Sequence, residues 1–406
     1  MHFSAIAASA LESHLGCGPH LRIMLRVANF MDSSLKELER KGVLSAIGDI
    51  YNPEGQYDVV LHFTPHKEDL ELAGRLSEHK IELQLHPAGW LSIRRFFRAV
   101  LLARQRIKES RINIVRGRLP YLGSLIGAVA ARLSAIPFVV SLGGDNRIVQ
   151  ERTGTYHYKS RIISYGMEWL VLMLATAIIC PNLFTTRYVA DIIGTRAAAR
   201  RCNEISWLSR PLPKSCDSDD STITALGFSA GTRIVPIVGF INRYKFSDIL
   251  FNVLGELATS LPEHEFCFCG DGPLREEGER RFAKIDNVRF LGWQSANVVH
   301  ALLRRAEIVL IPMSGFVLLE AASLGKPVVT SNVEWHSEMV KNDISGLVVE
   351  PTDPMAWRTA IWRMVSEPDM ACRLGCQLEK AYVGNYAYDS AVKRELALYH
   401  QLVRQG

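Results

Sequence analysis

The sequence predicts an α/β protein of two doubly wound domains, and three observations predict it. The chain has 406 residues, beyond the length over which one hydrophobic core usually grows. Apolar runs of strand length alternate with helical patterns from end to end, the signature of parallel sheets built from βαβ units. Near the middle, residues 211–231 form a polar, helix-poor segment with Pro211, Pro213 and the run Asp217-Ser-Asp-Asp-Ser221, which reads as a linker.

The first domain, residues 1–210, has strand-like runs at Arg22–Ala28, Asp58–Phe63, Ile112–Val115, Pro137–Ser141 and Ala177–Cys180. The second, residues 232–381, has them at Arg233–Val238, Glu265–Cys269, Val288–Leu291, Ile308–Ile311, Pro327–Thr330 and Gly346–Val349. Residues 382–406 read as a terminal helical segment, with Val392, Leu396, Leu398, Tyr399 and Leu402 available for packing. The apolar helix from Glu168 to Ala177 is expected in the core of the first domain.

A composition of 48% apolar and 22% charged residues excludes disordered and collagen-like chains. No apolar stretch reaches the roughly 20 residues that cross a bilayer, and Met1–Leu11 lacks the basic start of a secretion signal. The expected location is cytoplasmic, with attachment at the inner membrane face as an alternative. The eight cysteines have no zinc-site spacing, so reduced, mostly buried thiols are expected.

The net charge of +5 is unevenly spread: residues 1–209 carry 26 Lys and Arg against 18 Asp and Glu, and the remainder 21 against 24. Nine basic residues and a single acid, Glu109, fall between Trp90 and Arg118. No groove-reading or base-stacking motif accompanies them, which argues against nucleic acid. Trp90, Leu91, Phe96, Phe97 and Val100–Leu102 interleave with Arg94, Arg95, Arg98, Arg104 and Arg106. That pattern suits an anionic membrane surface, or else a solvated basic face over a buried stripe.

Ligands of parallel α/β sheets bind at the carboxyl ends of the strands, where helix N-termini hold phosphate. Two turns have that form. Gly270-Asp-Gly-Pro273 follows the strand Glu265–Cys269, and its glycines would let backbone approach a ligand. Ser314-Gly315 follows Ile308–Ile311 and opens a short helix, Phe316–Leu324, closed by Gly325. Glu320 lies in that apolar helix. A carboxylate there needs a partner, either a neighbouring backbone or arginine group, or ligand hydroxyls.

At this point the chain resembles the retaining nucleotide-sugar glycosyltransferases of family 4. The resemblance rests on Val238-Gly-Phe-Ile-Asn-Arg-Tyr-Lys245, Cys269-Gly-Asp-Gly-Pro273, Phe290-Leu-Gly-Trp293, Gly315-Phe-Val-Leu-Leu-Glu-Ala321, Gly325-Lys-Pro-Val-Val329, Glu338 and Gly346-Leu-Val-Val349. In the first half it rests on Ile136–Asp145. It implies the GT-B fold, two Rossmann-like domains facing each other across a cleft. It also implies a nucleotide sugar as donor, a glycan or lipid-linked acceptor, and no further cofactor.

The resemblance assigns residues one by one. Glu320 would bind the nucleotide ribose. The backbone of Ser314, Gly315 and Phe316 would meet the diphosphate, with Leu318 in the same turn, and Lys245, aided by Arg243, would neutralise it. Gly270, Asp271, Gly272 and Trp293 would complete the donor side, Trp293 as base-pocket wall or core residue. Gly143, Gly144 and Asp145 would form the acceptor side. His336 is read as a satisfied loop histidine or a donor contact.

Four positions depart from the family pattern. Pro312 stands where the first of two paired glutamates belongs, and Phe240 replaces an arginine. Gly143 or Gly144 replaces a histidine, and Asn29–Ser34 replaces a paired-glycine loop. No Asp-x-Asp dyad for a nucleotide-bound metal is apparent outside the linker, so metal independence is expected. The leading expectation is a retaining glycosyltransferase. A nucleotide-sugar epimerase and a catalytically silent binding protein are the alternatives.

Overall fold

The computed structural model describes residues 23–40, 48, 50–86, 92–145, 147–148, 150 and 160–405. Met1–Leu11, Arg22, Trp90 and Leu91, which entered the expectations above, lie outside them, as does Cys17, one of the eight cysteines.

Two all-parallel sheets carry the chain. The first comprises β1 (Arg26–Phe30), β2 (Val59–Thr64), β3 (Ile81–Leu85), β4 (Ile114–Arg118), β5 (Phe138–Ser141), β6 (Ala177–Cys180) and β7 (Cys202–Glu204), in the order β3-β2-β1-β4-β5-β6-β7. The second comprises β8 (Arg233–Val238), β9 (His264–Cys269), β10 (Val288–Gly292), β11 (Val309–Ile311), β12 (Val328–Ser331) and β13 (Leu347–Val349), in the order β10-β9-β8-β11-β12-β13. The strand order reverses between β1 and β4 and again between β8 and β11. These are the two switch points where a doubly wound sheet opens a crevice at its carboxyl edge.

Every expected strand forms, and the central ones are buried on both faces because helices cover both, although Asn29, His62 and Arg116 put polar side chains among them. Two strands escape the sequence reading. β3 is an edge strand whose Ile-Glu-Leu-Gln-Leu alternates and is buried only at Ile81, and β7 has three residues.

The linker expectation needs correction, because residues Asp219–Ala225 form a helix inside it. Asp219 holds that helix in place: its carboxylate accepts two hydrogen bonds from Arg304, at 2.5 and 2.6 Å. The helix expected from Glu168 to Ala177 is also corrected. It spans Arg161–Leu174, and only one side of it is core; Trp169 stays about half exposed and Ala177 begins β6. Of the seven described cysteines, Cys216, Cys372 and Cys376 are exposed rather than buried, and all seven are free.

The last helix, Tyr388–Gln405, crosses back to the first domain. Its Ala391, Leu398, Tyr399 and Leu402 pack with Val27, Val60, Ile114 and Tyr57 on one face of the first sheet. Glu338 adds a second bridge between domains. Its Oε2 accepts from the Leu183 amide at 3.0 Å, at the start of the first-domain helix Leu183–Ile193.

Candidate functional site

The carboxyl ends of β8, β9, β11 and β12 bring most of the expected donor-side residues to one edge of the second sheet. After β11, Ser314 takes an extended backbone and the helix Gly315–Ser323 starts behind it, with no side chain capping its first turn. The amides of Gly315, Phe316 and Val317 therefore have no intrahelical acceptor, the arrangement that attracts an anion. Trp335, from the turn after β12, backs this start: a Cβ on Gly315 would lie 3.5 Å from its indole.

Glu320 projects from the same helix and is only partly buried. Its Oε1 lies 3.4 Å from Nε2 of His300, on the helix Ala296–Arg305. The partner is thus a histidine, neither a backbone group nor an arginine. Leu318 requires a correction: its side chain is fully buried in the core with Val309 and Val328 and does not reach the edge. Pro312 is buried as well, so no carboxylate faces the edge from that position.

The loop after β8 carries the cations. Asn242 caps a single turn, Arg243–Lys245, by accepting the Lys245 amide at 2.8 Å. Arg243 points to solvent, while Lys245 is mostly covered. Burial lowers the Lys245 pKa and the Glu334 carboxylate opposes that shift. Tyr244 donates to Glu334 at 3.3 Å, which fixes the acid beside the lysine.

His336 is settled by its partners. The Thr330 hydroxyl donates to the Ile311 carbonyl at 2.8 Å, so at 2.7 Å it must accept from His336 Nδ1. Burial, aided by the Lys245 charge, brings the ring pKa down to about 3 and keeps it neutral. It is a satisfied histidine at Nδ1.

Gly270 and Gly272 have a different reason to be glycine from the one the sequence suggests. A Cβ on Gly270 would meet the Gly239 carbonyl oxygen at 1.9 Å, and one on Gly272 the Ile241 carbonyl oxygen at 2.3 Å. The turn after β9 is packed against the loop after β8, and the Ile241 amide bonds to the Asp271 carbonyl at 2.8 Å. The glycines hold the lysine-bearing loop close. The Asp271 carboxylate turns to the Gly272 amide and Arg275. Trp293 is 55% exposed and so is not a core residue.

On the facing side, Gly143 lines a cavity between the two domains with Arg116, Arg118, Ser141, Trp207 and the second-domain Phe316. Phe316 also approaches the Trp207 ring, at 6.2 Å between centroids. Gly144 lies next to it in sequence. The Asp145 carboxylate accepts the amides of Arg147 and Ile148 at 2.8 and 3.1 Å, so it shapes the loop. Asp32 stands where the family has glycines and accepts the Gly123 amide at 3.0 Å with both oxygens. It occupies the start of the helix Leu122–Leu133.

Sequence reasoning missed His300, Glu334, Arg118 and Trp207. Only Arg118, the last residue of the basic stretch that begins at Trp90, left a trace in the sequence.

Residues 219–380 match the family model described as glycosyl transferases group 1. A D-inositol 3-phosphate glycosyltransferase of Salinispora tropica is 29% identical over 218 residues, 49% of this chain and 45% of that protein. An alpha-D-kanosaminyltransferase of Streptomyces kanamyceticus is 22% identical over 295 residues, 70% of this chain and 73% of that protein. The chain therefore spans about half the length of the first relative. Among solved structures, HepE of Anabaena in complex with UDP and glucose superposes with a TM-score of 0.71 at 15% identity. The match covers 92% of this chain and 99% of that one. Sucrose-phosphate synthase of Thermosynechococcus elongatus superposes with a TM-score of 0.69 at 17% identity, over 94% and 100%. These likenesses make the fold GT-B.

Proposed function

We propose that this chain, a GT-B protein whose second domain is of the glycosyl transferases group 1 kind, transfers a sugar with retention from a nucleotide diphosphate to a hydroxyl of a glycan or lipid-linked acceptor. One observation carries the reading. An uncapped helix start and a mostly buried lysine stand at the carboxyl ends of β11 and β8, the two strands flanking the second switch point. Such a place suits a diphosphate. Glu320, further along the helix, would receive the ribose hydroxyls, and its approach to His300 at 3.4 Å would help to orient it. The UDP bound by HepE supports a nucleotide-sugar donor, and the relatives named as glycosyltransferases favour transfer over epimerisation.

In the step itself the bond from the sugar anomeric carbon to the diphosphate oxygen breaks. A bond to the acceptor oxygen forms on the same face, and the acceptor proton passes to the departing phosphate oxygen. The protein's work is to orient two substrates and to stabilise the charge that grows on the leaving group. Lys245, Arg243 and the amides of Gly315 and Phe316 supply that stabilisation, so we expect transfer to survive a chelator. The first domain's basic helix, Ile93–Glu109, is read as a contact to an anionic membrane. No helix among the described residues is long and apolar enough to cross one.

Incubation with a panel of nucleotide sugars tests the function. Nucleotide released only with acceptor, and a product of unchanged anomeric configuration, supports it. An isomerised sugar would make the protein an epimerase, and binding without turnover would make it a silent binder. Glu320→Ala should weaken nucleotide binding by roughly 1 to 3 kcal/mol. Unchanged affinity in the folded variant removes Glu320 from the site.

A further inference from the structure

The cavity between the domains holds two arginines in opposite situations. Arg116 is ion-paired: its guanidinium lies 2.9 Å from Glu395, 3.0 Å from the Ser141 hydroxyl and 3.1 Å from the Ile50 carbonyl. Arg118, two residues along β4, has no carboxylate at ion-pair distance among the described residues. Its guanidinium lies 5.7 Å from the Tyr51 ring centroid and lines the same cavity. The Arg116 and Glu395 charges in the cavity wall offset each other, so the Arg118 guanidinium is the charge left to attract an oxyanion there.

The row of the sheet behind the cavity has unspent hydrogen-bonding capacity. Asn29 on β1 pairs in register with Arg116 on one side and His62 on the other. Asn29 is 2% exposed and His62 fully buried, yet both amide atoms of Asn29 and both ring nitrogens of His62 lack a partner. The His62 ring stands edge-on to Tyr51, 4.9 Å between centroids, so Arg118, Tyr51, His62 and Asn29 form one connected layer. Buried polar groups left unmatched in this number call for a ligand or ordered water.

We propose that this cavity binds an oxyanion carried by the acceptor, a phosphate or a carboxylate, held by Arg118 and linked through water to Asn29 and His62. The proposal rests on the transfer reading only in calling that molecule the acceptor. Phe316, which closes the cavity from the second domain, belongs to the helix start assigned to the donor diphosphate. The oxyanion would therefore sit across from the leaving group, with the acceptor hydroxyl between them.

Calorimetric titration of the whole chain with inorganic phosphate, in the presence of saturating UDP, tests the site. The expected result is phosphate binding that persists with UDP bound, weakens about ten- to hundredfold in Arg118→Gln, and is partly restored in Arg118→Lys. Parallel titrations with acetate decide between phosphate and carboxylate by whichever binds more tightly. Binding of neither ion, indifference to Arg118→Gln, or displacement of phosphate by UDP would overturn the proposal. UDP binding, measured separately, fails only if the donor reading fails, so the two are distinguishable.

Discussion

Glu395, on the last helix, places its carboxylate 2.9 Å from the guanidinium of Arg116 in the middle of the first sheet. Glu395 is 2% and Arg116 7% exposed at the side chain, and the Tyr57 hydroxyl also donates to Glu395 at 2.7 Å. The chain's end is thereby keyed into its first domain after the whole second domain has been built. A charge pair this deep is costly to halve, because the surviving charge stays buried without a partner.

Glu395→Ala should therefore destabilise the first domain by about 3 to 5 kcal/mol. Pairing Glu395→Leu with Arg116→Met should recover most of that loss. Urea denaturation followed by circular dichroism checks both. If the double variant is as unstable as the single one, packing rather than the unpaired charge explains the effect.

Lys245 makes a prediction about protons. Burial lowers its pKa and Glu334 only partly opposes the shift, so binding a diphosphate must raise the pKa again. In alkaline solution, nucleotide binding should take up a proton, seen as heats that differ between buffers of different ionisation enthalpy. Lys245→Ala should abolish the difference and lower turnover more than donor affinity, since charge grows on the diphosphate as the bond breaks. Buffer-independent heats would clear Lys245 of this role, and a severe Arg243→Ala beside a silent Lys245→Ala would name the other cation.

How much of this was legible in the sequence depends on whether the information was local. The strand run Ile308–Ile311 and the turn Ser314-Gly315 announce themselves by composition, and the structure puts them at a switch point. The His300–Glu320 contact joins two helices twenty residues apart, and no periodicity points from one to the other. Gly270 and Gly272 look like ligand-approach glycines because a sequence cannot show the Gly239–Ile241 backbone lying against them. Leu318 falls in the same motif as the exposed Phe316 and the partly exposed Glu320, yet the helix turns it into the core. Glu395 reads as one more polar residue on an amphipathic helix until its long-range partner is known.

Asp32 carries a pH prediction. Burial pushes its pKa up to about 6, against the lowering effects of the Gly123 amide and of His66. A folded-state pKa above the unfolded one contributes stability that is fully present below the unfolded value of about 4 and is lost as pH rises through about 6. A two-unit shift corresponds to roughly 3 kcal/mol at most. Asp32→Asn should thus gain stability over the parent at about pH 8, and the gain should shrink toward about pH 4. Glu168, raised to about 7 chiefly by burial, acts in the same direction, so the variant-minus-parent difference is the quantity to measure. A difference that does not change with pH would mean that Asp32 titrates normally.

The final prediction concerns the helix Ile93–Glu109. Its inner side is closed by Ala99, Val100, Ala103 and Ile107, so the bland expectation of a buried stripe is met by those residues alone. A second apolar line remains outside: Ile93, Phe97 and Leu101 recur every fourth residue and are 76%, 56% and 59% exposed. Arg94, Arg95 and Arg98 are exposed beside it. An apolar ridge rimmed by guanidinium groups suits the interface of an anionic leaflet, where each basic residue adds roughly 1 kcal/mol of attraction that salt screens. Replacing Arg94, Arg95 and Arg98 by Glu should abolish binding to vesicles containing anionic lipid. Phe97→Ala with Leu101→Ala should weaken it even at high salt, where the apolar contribution persists, and nucleotide binding should be unaffected in both variants. Sedimentation with vesicles reads the outcome: if the parent protein does not sediment, or the arginine variant does so equally, the ridge serves something other than a membrane.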